Sequence, residues 1–275
     1  MTRQPPAPPP GLATRWGRVW DRRGILRTLV QRDLRVRYAR SWLGYVWTVL
    51  DPLAMALIYF MIFAVVFKRP DAGHKPYFLF LITGLLAWQW FNSSVNETAR
   101  ALLAEAKLVR STNLPRELWV IRVVLAKGVE FLLSLPILFG FALVYLIRGE
   151  LDLNWRLVLF PVGLVLQFLL LVGIGLLLAP ATVLADDTIR VVRIILRMMF
   201  YCTPIIYVVE RAPEWLQTLL WFNPVSGILE FYRAGFFDAP MNWPPVFAGL
   251  GVTAVLIAAG LFVFGRLERA VLKEI

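Results

Sequence analysis

The sequence predicts an all-α polytopic membrane protein. It would have six transmembrane helices, an amphipathic helix before the first, and a pair of short re-entrant helices before the last. Three observations carry this. Apolar residues make up 59% of the 275-residue chain and charged residues 17%, against about 45–50% and about 25% in an ordinary soluble domain. Five apolar runs are long enough to cross a bilayer, which takes about 20 residues. The basic residues are shared unequally between the segments that join those runs. With a mean hydropathy of +0.66, the composition excludes an ordinary soluble enzyme. One cysteine, Cys202, and one histidine, His74, exclude a disulfide framework and a Cys/His metal cluster.

Residues 1–23 open with MTRQPPAPPP and read as a disordered Pro/Arg-rich tail; no apolar run follows before residue 42, so this is not a cleaved signal. Residues 24–41 are amphipathic. Ile25, Leu26, Leu29, Val30 and Leu34 fall on one side of a helix and Arg27, Gln31, Arg32 and Arg35 on the other. Such a helix lies on a membrane surface with its arginines at anionic headgroups. Asp33 and Arg37, four apart, have ion-pair spacing.

The transmembrane region is predicted over 42–270. Its runs are Trp42–Phe67, holding Asp51 and Pro52; Tyr77–Val95; Val123–Ile147; Leu157–Ala185; and Val246–Gly265. Lys127 and Glu130, three apart in the third run, are placed to neutralise each other. Met198–Val209 has only twelve uncharged residues and is broken by Pro204. A crossing there recruits Ile194–Leu196 and turns Arg197 toward protein, water or headgroups, because a charge facing lipid at depth costs about 3 kcal/mol or more. The apolar stretch Pro213–Phe237 is interrupted by Glu214, Asn223-Pro224 and Gly227. Two half-inserted helices hinged at Asn223-Pro224 fit it, and a bilayer tolerates such backbone only under protein cover or facing water. With both termini inside, the inner segments hold 21 Lys and Arg, the outer segments 7, and Lys127 completes the 29. The positive-inside rule then places both termini in the cytoplasm. The basic excess is a topology device rather than a nucleic-acid footprint.

None of the five lysines is preceded by Gly and followed by Ser or Thr, so there is no phosphate loop of the G-x-x-x-x-G-K-[ST] kind. ATP-driven work would need a separate subunit. An ion-coupled carrier needs ionisable groups at mid-bilayer; Asp51 stands nearly alone, and beside Pro52 it reads as holding a kink or an inner gate. An intramembrane enzyme handling lipid-linked sugars needs clustered carboxylates or a nucleophile with a base, whereas Glu210, Glu214, Glu230 and Asp238 are scattered. The inner segment Glu97–Arg122 runs to 26 residues, where a bare helix–helix connection takes about two to eight. A helix over Ala101–Arg110, a stop at Ser111, Asn113 and Pro115, and a second helix starting near Pro115 and capped by Asn113 would form a knob for a cytoplasmic partner. Most tryptophans form interfacial belts. Tyr59, Phe60, Phe63, Phe200, Tyr201 and Tyr207 do not, and they suit either core packing or a conduit in which sugar rings slide along aromatic faces.

An amphipathic helix running into RDLRVRYARSWLGYVWTVLDPL, then KLVRSTNLPREL, YCTPIIY and the NPV hinge, resembles the membrane subunit of type 2 ATP-binding-cassette exporters of polysaccharides. That group exports O-antigen, capsule, teichoic acid and actinobacterial galactan, and the resemblance covers about residues 24–270. It implies an interface helix at 24–41 and a coupling helix at about 106–118, with Lys107, Arg110, Asn113, Pro115 and Arg116 facing a nucleotide-binding ATPase. It implies gate helices at about 213–237, with Asp51, Pro52, Pro204, Asn223 and Pro224 in gate or structural roles. The six aromatics would line a channel between two copies of the chain. This chain would hold no catalytic residue, metal or cofactor, with ATP and magnesium in two ATPase partners. An undecaprenyl-linked glycan would cross a bacterial inner membrane; high Arg and Ala usage suggests a G+C-rich genome and, within the resemblance, an actinobacterial galactan as one candidate cargo.

Overall fold

The computed structural model describes residues 17, 19–39, 42–66, 75–209 and 213–275, and among them every regular element is helical. Most of the predicted tail, Arg40 and Ser41 at the end of the predicted interface helix and Phe67 at the end of the first run lie outside the described residues. Helix α1 spans Arg23–Tyr38. It buries Val30, half-buries Ile25, Leu26, Leu29 and Leu34, and exposes Arg27, Gln31 and Arg35. After a 3-10 turn at Gly44–Val46 comes α2, Trp47–Phe60, continued by a π-helical turn at Met61–Val66. Then follow α3 (Tyr77–Thr98), α4 (Ala101–Ala104), α5 (Ala106–Ser111) and α6 (Glu117–Ile147). Helix α7 (Phe160–Leu184) is entered through a 3-10 turn at Trp155–Leu159. The chain continues through α8 (Thr188–Tyr201), α9 (Glu214–Trp221), α10 (Pro224–Arg233) and α11 (Trp243–Glu274).

Helices α3, α6, α7 with its leading turn, and α11 are long and apolar enough to cross a membrane, while the apolar stretch Trp47–Phe63 is shorter. At 1.5 Å per residue the 32 residues of α11 reach about 48 Å, beyond the roughly 30 Å of a hydrocarbon core. Its charged end, Arg266–Glu274, therefore projects past the apolar slab. Helix α3 is the axis of the bundle. Leu79, Phe80, Leu81, Ile82, Leu85, Leu86, Ala87 and Trp88 are all buried, and α3 packs on α2, α6, α7, α8 and α10. A helix apolar all round is the kind that sits in a core.

Helices α7 and α11 cross with their backbones in close approach. A Cβ on Gly173 would lie 2.8 Å from the backbone nitrogen of Ile257, and one on Gly260 2.5 Å from the carbonyl oxygen of Gly173. Only hydrogen at both positions lets the two backbones meet. Small residues at crossings are how helices associate where the surrounding lipid is as apolar as the side chains.

The chain departs from the sequence reading in four places. The first run is not helical from Trp42: Trp42 is fully exposed and the helix begins at Trp47 after the 3-10 turn. The single helix expected over Ala101–Arg110 is two, bent at Glu105, whose φ of −120° and ψ of 26° accompany its carboxylate's turn into an ion-pair cluster. Asn113 caps nothing; α6 starts at Glu117, with no side chain bonded to its first turn. The run Met198–Val209 is helical only to Tyr201, because Pro204 has no N–H to continue the ladder.

Candidate functional site

A half-open groove of about 580 Å³ runs along α2, α3 and α8. Each helix gives it one face: Asp51, Pro52, Met55 and Tyr59 from α2; Leu85, Trp88, Gln89, Asn92 and Asn96 from α3; Arg193, Leu196, Arg197, Phe200 and Tyr201 from α8. The i, i+3, i+4, i+7 spacing on α3 and α8 is what puts these side chains in line. Helix α3 runs opposite to α2 and α8, so the polar members Asp51, Asn92, Asn96, Arg193 and Arg197 gather toward the α1 end. Tyr59, Phe200 and Tyr201 gather toward the other end. Tyr59 stacks on Phe200 with centroids 6.0 Å apart, and Trp88 meets Phe200 edge-on at 5.5 Å. Amides, charged groups and aromatic faces in one trough are chemistry for a polar, ring-bearing ligand rather than for lipid tails.

Beyond the aromatic end the backbone of residues 202–207 leaves the helix, and its carbonyls need donors. Three side chains supply them. Arg233 of α10 donates through Nη1 to the carbonyl of Pro204 at 2.7 Å. Its Nη2 donates to Ile205 at 3.1 Å and to Phe80 at 3.3 Å. Its guanidinium lies 3.5 Å over the ring of Phe80, and Gly84, whose Cβ would meet Nη2 at 2.7 Å, leaves room for it. Tyr77 donates its hydroxyl to Ile206 at 3.0 Å. Asn223 donates to the carbonyl of Cys202 at 3.1 Å and to the hydroxyl of Thr203 at 2.8 Å, while its oxygen accepts from the N–H of Val225. Asn223 is thus both the cap of α10, with Pro224 in the first turn, and a strut to the unwound segment.

At the α1 end, four cations face four carboxylates. Arg122, buried in α6, places Nε 3.1 Å from Asp33 and Nη1 3.1 Å from Glu105. Arg32 pairs with the same two carboxylates. Lys127, also buried, lies 2.9 Å from Glu97 and 3.0 Å from Glu130, while Arg37 lies 2.6 Å from Glu97 and 3.0 Å from Glu130. Each half balances two positive against two negative charges, and together they tie α1, the end of α3, the α4–α5 knob and α6 into one block. The expected Asp33–Arg37 pair is absent from the ion pairs of the described residues because each has a tertiary partner in reach; the expected Lys127–Glu130 pair is present.

Of the knob residues, Lys107, Arg110 and Asn113 are exposed, and Pro115 is half-buried. Arg110 donates to the backbone carbonyl of Ile275 at 2.9 Å, and Arg116 pairs with Glu268 at 2.8 Å, so α11 braces the knob. Among the aromatics, Tyr59, Phe200 and Tyr201 line the groove. Phe60 packs on Tyr77 and Phe78, Phe63 on Tyr77, and the hydroxyl of Tyr207 donates to the carbonyl of Tyr201 at 3.1 Å. Asp51 faces the groove beside the buried Pro52, and Pro204 is the carbonyl held by Arg233. Sequence reasoning passed over Arg233, Arg193, Gln89, Asn92 and Asn96. A lone arginine inside the apolar stretch after Pro204 was the available signal for the first.

The profile of the ABC-2 type transporter family matches residues 25–237. An O-antigen export system permease protein of Klebsiella pneumoniae, RfbA, is 31% identical over 244 residues, covering 89% of this chain and 92% of that protein. Its namesake in Myxococcus xanthus is 31% identical over 249 residues, covering 90% and 93%. The polysialic acid transport protein KpsM of Escherichia coli is 24% identical over 267 residues, covering 90% and 95%. The match runs from the start of α1 through the end of the α9–α10 hairpin, the stretch that holds the groove, the knob and the clamped segment, and on that extent this chain belongs to the membrane family of ABC-2 type transporters.

Proposed function

We propose that this chain is the permease subunit of an ATP-driven exporter that carries a lipid-linked polysaccharide out through a bacterial inner membrane. The groove carries this reading. It is open along one side of the chain, and its polar and aromatic lining suits a glycan. A second copy facing it would close the groove into a channel on a two-fold axis. The relatives named for O-antigen export and polysialic acid transport support a polysaccharide cargo, here undecaprenyl-linked and of galactan, O-antigen, teichoic acid or capsule type. Six crossings are formed by α2, α3, α6, α7, α8 with the clamped segment, and α11, with both termini cytoplasmic. The α9–α10 hairpin is re-entrant and shuts the outer end.

Energy enters at the knob. Two nucleotide-binding ATPases holding ATP and magnesium dock on α4–α5, with Lys107, Arg110, Asn113, Pro115 and Arg116 at the contact. The balanced charge cluster passes their movement to α1, α3 and α6. Affinity purification of the tagged chain from its native membrane tests this. The expected result is stoichiometric recovery of a phosphate-loop ATPase, lost in an Arg110→Glu, Pro115→Gly variant that still folds. Recovery unchanged by that variant would remove the knob from the contact, and absence of any ATPase would remove the exporter.

A further inference from the structure

We infer that Arg193 and Arg197, with Asn92 and Asn96 beside them, form the binding site for the diphosphate of a lipid-linked glycan, an assignment that rests on the groove being the glycan's path. The first ground is a contrast between cations. Arg122 and Lys127 face carboxylates, Arg233 faces three carbonyls, and Arg116 faces Glu268. Arg193 and Arg197 are exposed in the groove and make no ion pair among the described residues. One turn apart on α8, their side chains reach the same point, and two guanidiniums answer the two charges of a diphosphate diester with forked hydrogen bonds. Gln89 and Asn92 on the facing wall add amide donors, while Asn96 donates through Nδ2 to the backbone carbonyl of Asn92 at 2.8 Å and to its side-chain oxygen at 3.2 Å and so holds the Asn92 amide in place. Asp51 is the one carboxylate lining the groove, so the trough carries a net single positive charge before any ligand enters.

The second ground is the division of α8 into three faces at about 100° per residue. Val192 and Leu196 are buried against the bundle. Arg193, Arg197, Phe200 and Tyr201 face the groove. Val191, Ile194, Ile195 and Met198 form an exposed apolar stripe on the adjoining face. A ligand seated on the arginines therefore has an apolar track to one side and the aromatic lining, Tyr59, Phe200 and Tyr201, farther along the groove. That order, apolar tail, anion, rings, is the order of parts in a polyprenyl diphosphate sugar. A phospholipid supplies the tail and the anion without the rings, and a free diphosphate supplies only the anion.

The test uses the chain with its copurified ATPase in nanodiscs of phosphatidylcholine, reading quenching of tryptophan fluorescence, with Trp88 in the groove wall. Probes are undecaprenyl diphosphate-linked N-acetylglucosamine, phosphatidylglycerol and inorganic diphosphate. The lipid-linked sugar is expected to bind at least tenfold more tightly than either other probe. Arg193→Gln and Arg197→Gln are each expected to weaken it by about tenfold or more, as loss of a charge-assisted bond implies. Arg193→Lys and Arg197→Lys should fall in between, and Arg190→Gln, one turn outside the groove, should leave it unchanged. The site is overturned if the double Gln variant, monodisperse and ATPase-competent, binds the probe as tightly as the parent. It is equally overturned if phosphatidylglycerol or free diphosphate binds as well as the lipid-linked sugar. If binding is unchanged in the double variant while Tyr59→Leu and Phe200→Leu still slow glycan export, the site alone fails. If those two aromatic variants also export normally, the reading of the groove fails with it.

Discussion

Replacing Arg233 with leucine should open the far end of the groove. The substitution removes the donors from three carbonyls, those of Phe80, Pro204 and Ile205, and a cation from the ring of Phe80. A hydrogen bond from a charged group contributes about 1.5–3 kcal/mol, and a desolvated cation over an aromatic face about 2 kcal/mol. These contributions share one side chain and do not add, so about 3 kcal/mol is a fair figure for the latch. At about 1.4 kcal/mol per factor of ten, the equilibrium between clamped and released 202–207 segments moves roughly a hundredfold. Cys202 is already exposed, so the reporter is Ile205, 0% exposed within this segment, changed by Ile205→Cys in a Cys202→Ser background. A membrane-impermeant maleimide added from outside to intact cells should label it ten to a hundred times faster in Arg233→Leu than in the parent. Arg233→Lys, which keeps the charge but not the fork, should lie between. Gly84→Ala, which crowds the guanidinium, should raise labelling less than Arg233→Leu. Equal labelling rates in parent and Arg233→Leu, with both proteins folded, would refute the clamp.

Other consequences follow from the same packing. Arg122→Met leaves Asp33 and Glu105 sharing Arg32 alone; breaking a buried pair costs about 3–5 kcal/mol, which should lower the unfolding midpoint in detergent by on the order of 10 °C. Adding Glu105→Gln should recover part of that loss, and a double variant as unstable as the sum of the singles would show that the cluster is not coupled. Gly173→Leu, with no space against Ile257, should abolish monodisperse protein, whereas the same change at Gly251, which faces open space, should be tolerated. Lys107→Glu with Asn113→Asp, both exposed, should leave the unfolding free energy unchanged within about 0.5 kcal/mol and reduce ATPase recovery at least tenfold.

Much of the scaffold was legible because membrane helices are specified by length and polarity alone. The four longest apolar helices fall on four of the six predicted runs, and the amphipathic pattern of Ile25, Leu26, Leu29, Val30 and Leu34 is the face α1 turns inward, with Val30 buried and the other four half-buried. The hinge at Asn223-Pro224 was also readable, since a capping side chain before a proline is a local signal. Other features were settled by distance along the chain. Asp33 and Arg37 sit at the right spacing for each other, yet Arg122 and Glu97, far off in sequence, outcompete that local pair. Nothing near Glu105 signals that its carboxylate will bend the knob helix to reach Arg32 and Arg122. Arg233 counts in the sequence as one more basic residue outside the membrane; only the position of the carbonyls freed by Pro204 gives it its task. The groove follows the same rule. Its aromatic residues stood out from the tryptophan belts, but Gln89, Asn92 and Asn96 became visible as lining only when α3 was set between α2 and α8.

Transport by proteoliposomes is the most direct test of whether this chain is a gate worked from outside itself. Vesicles containing the chain and its copurified ATPase, with the ATPase side facing out, should move an undecaprenyl diphosphate-linked glycan to the lumen when ATP is added, and stop when the ATPase is omitted or ATP is withheld. Accumulation of glycan in vesicles holding the chain alone, driven by an ion gradient and indifferent to ATP, would contradict it.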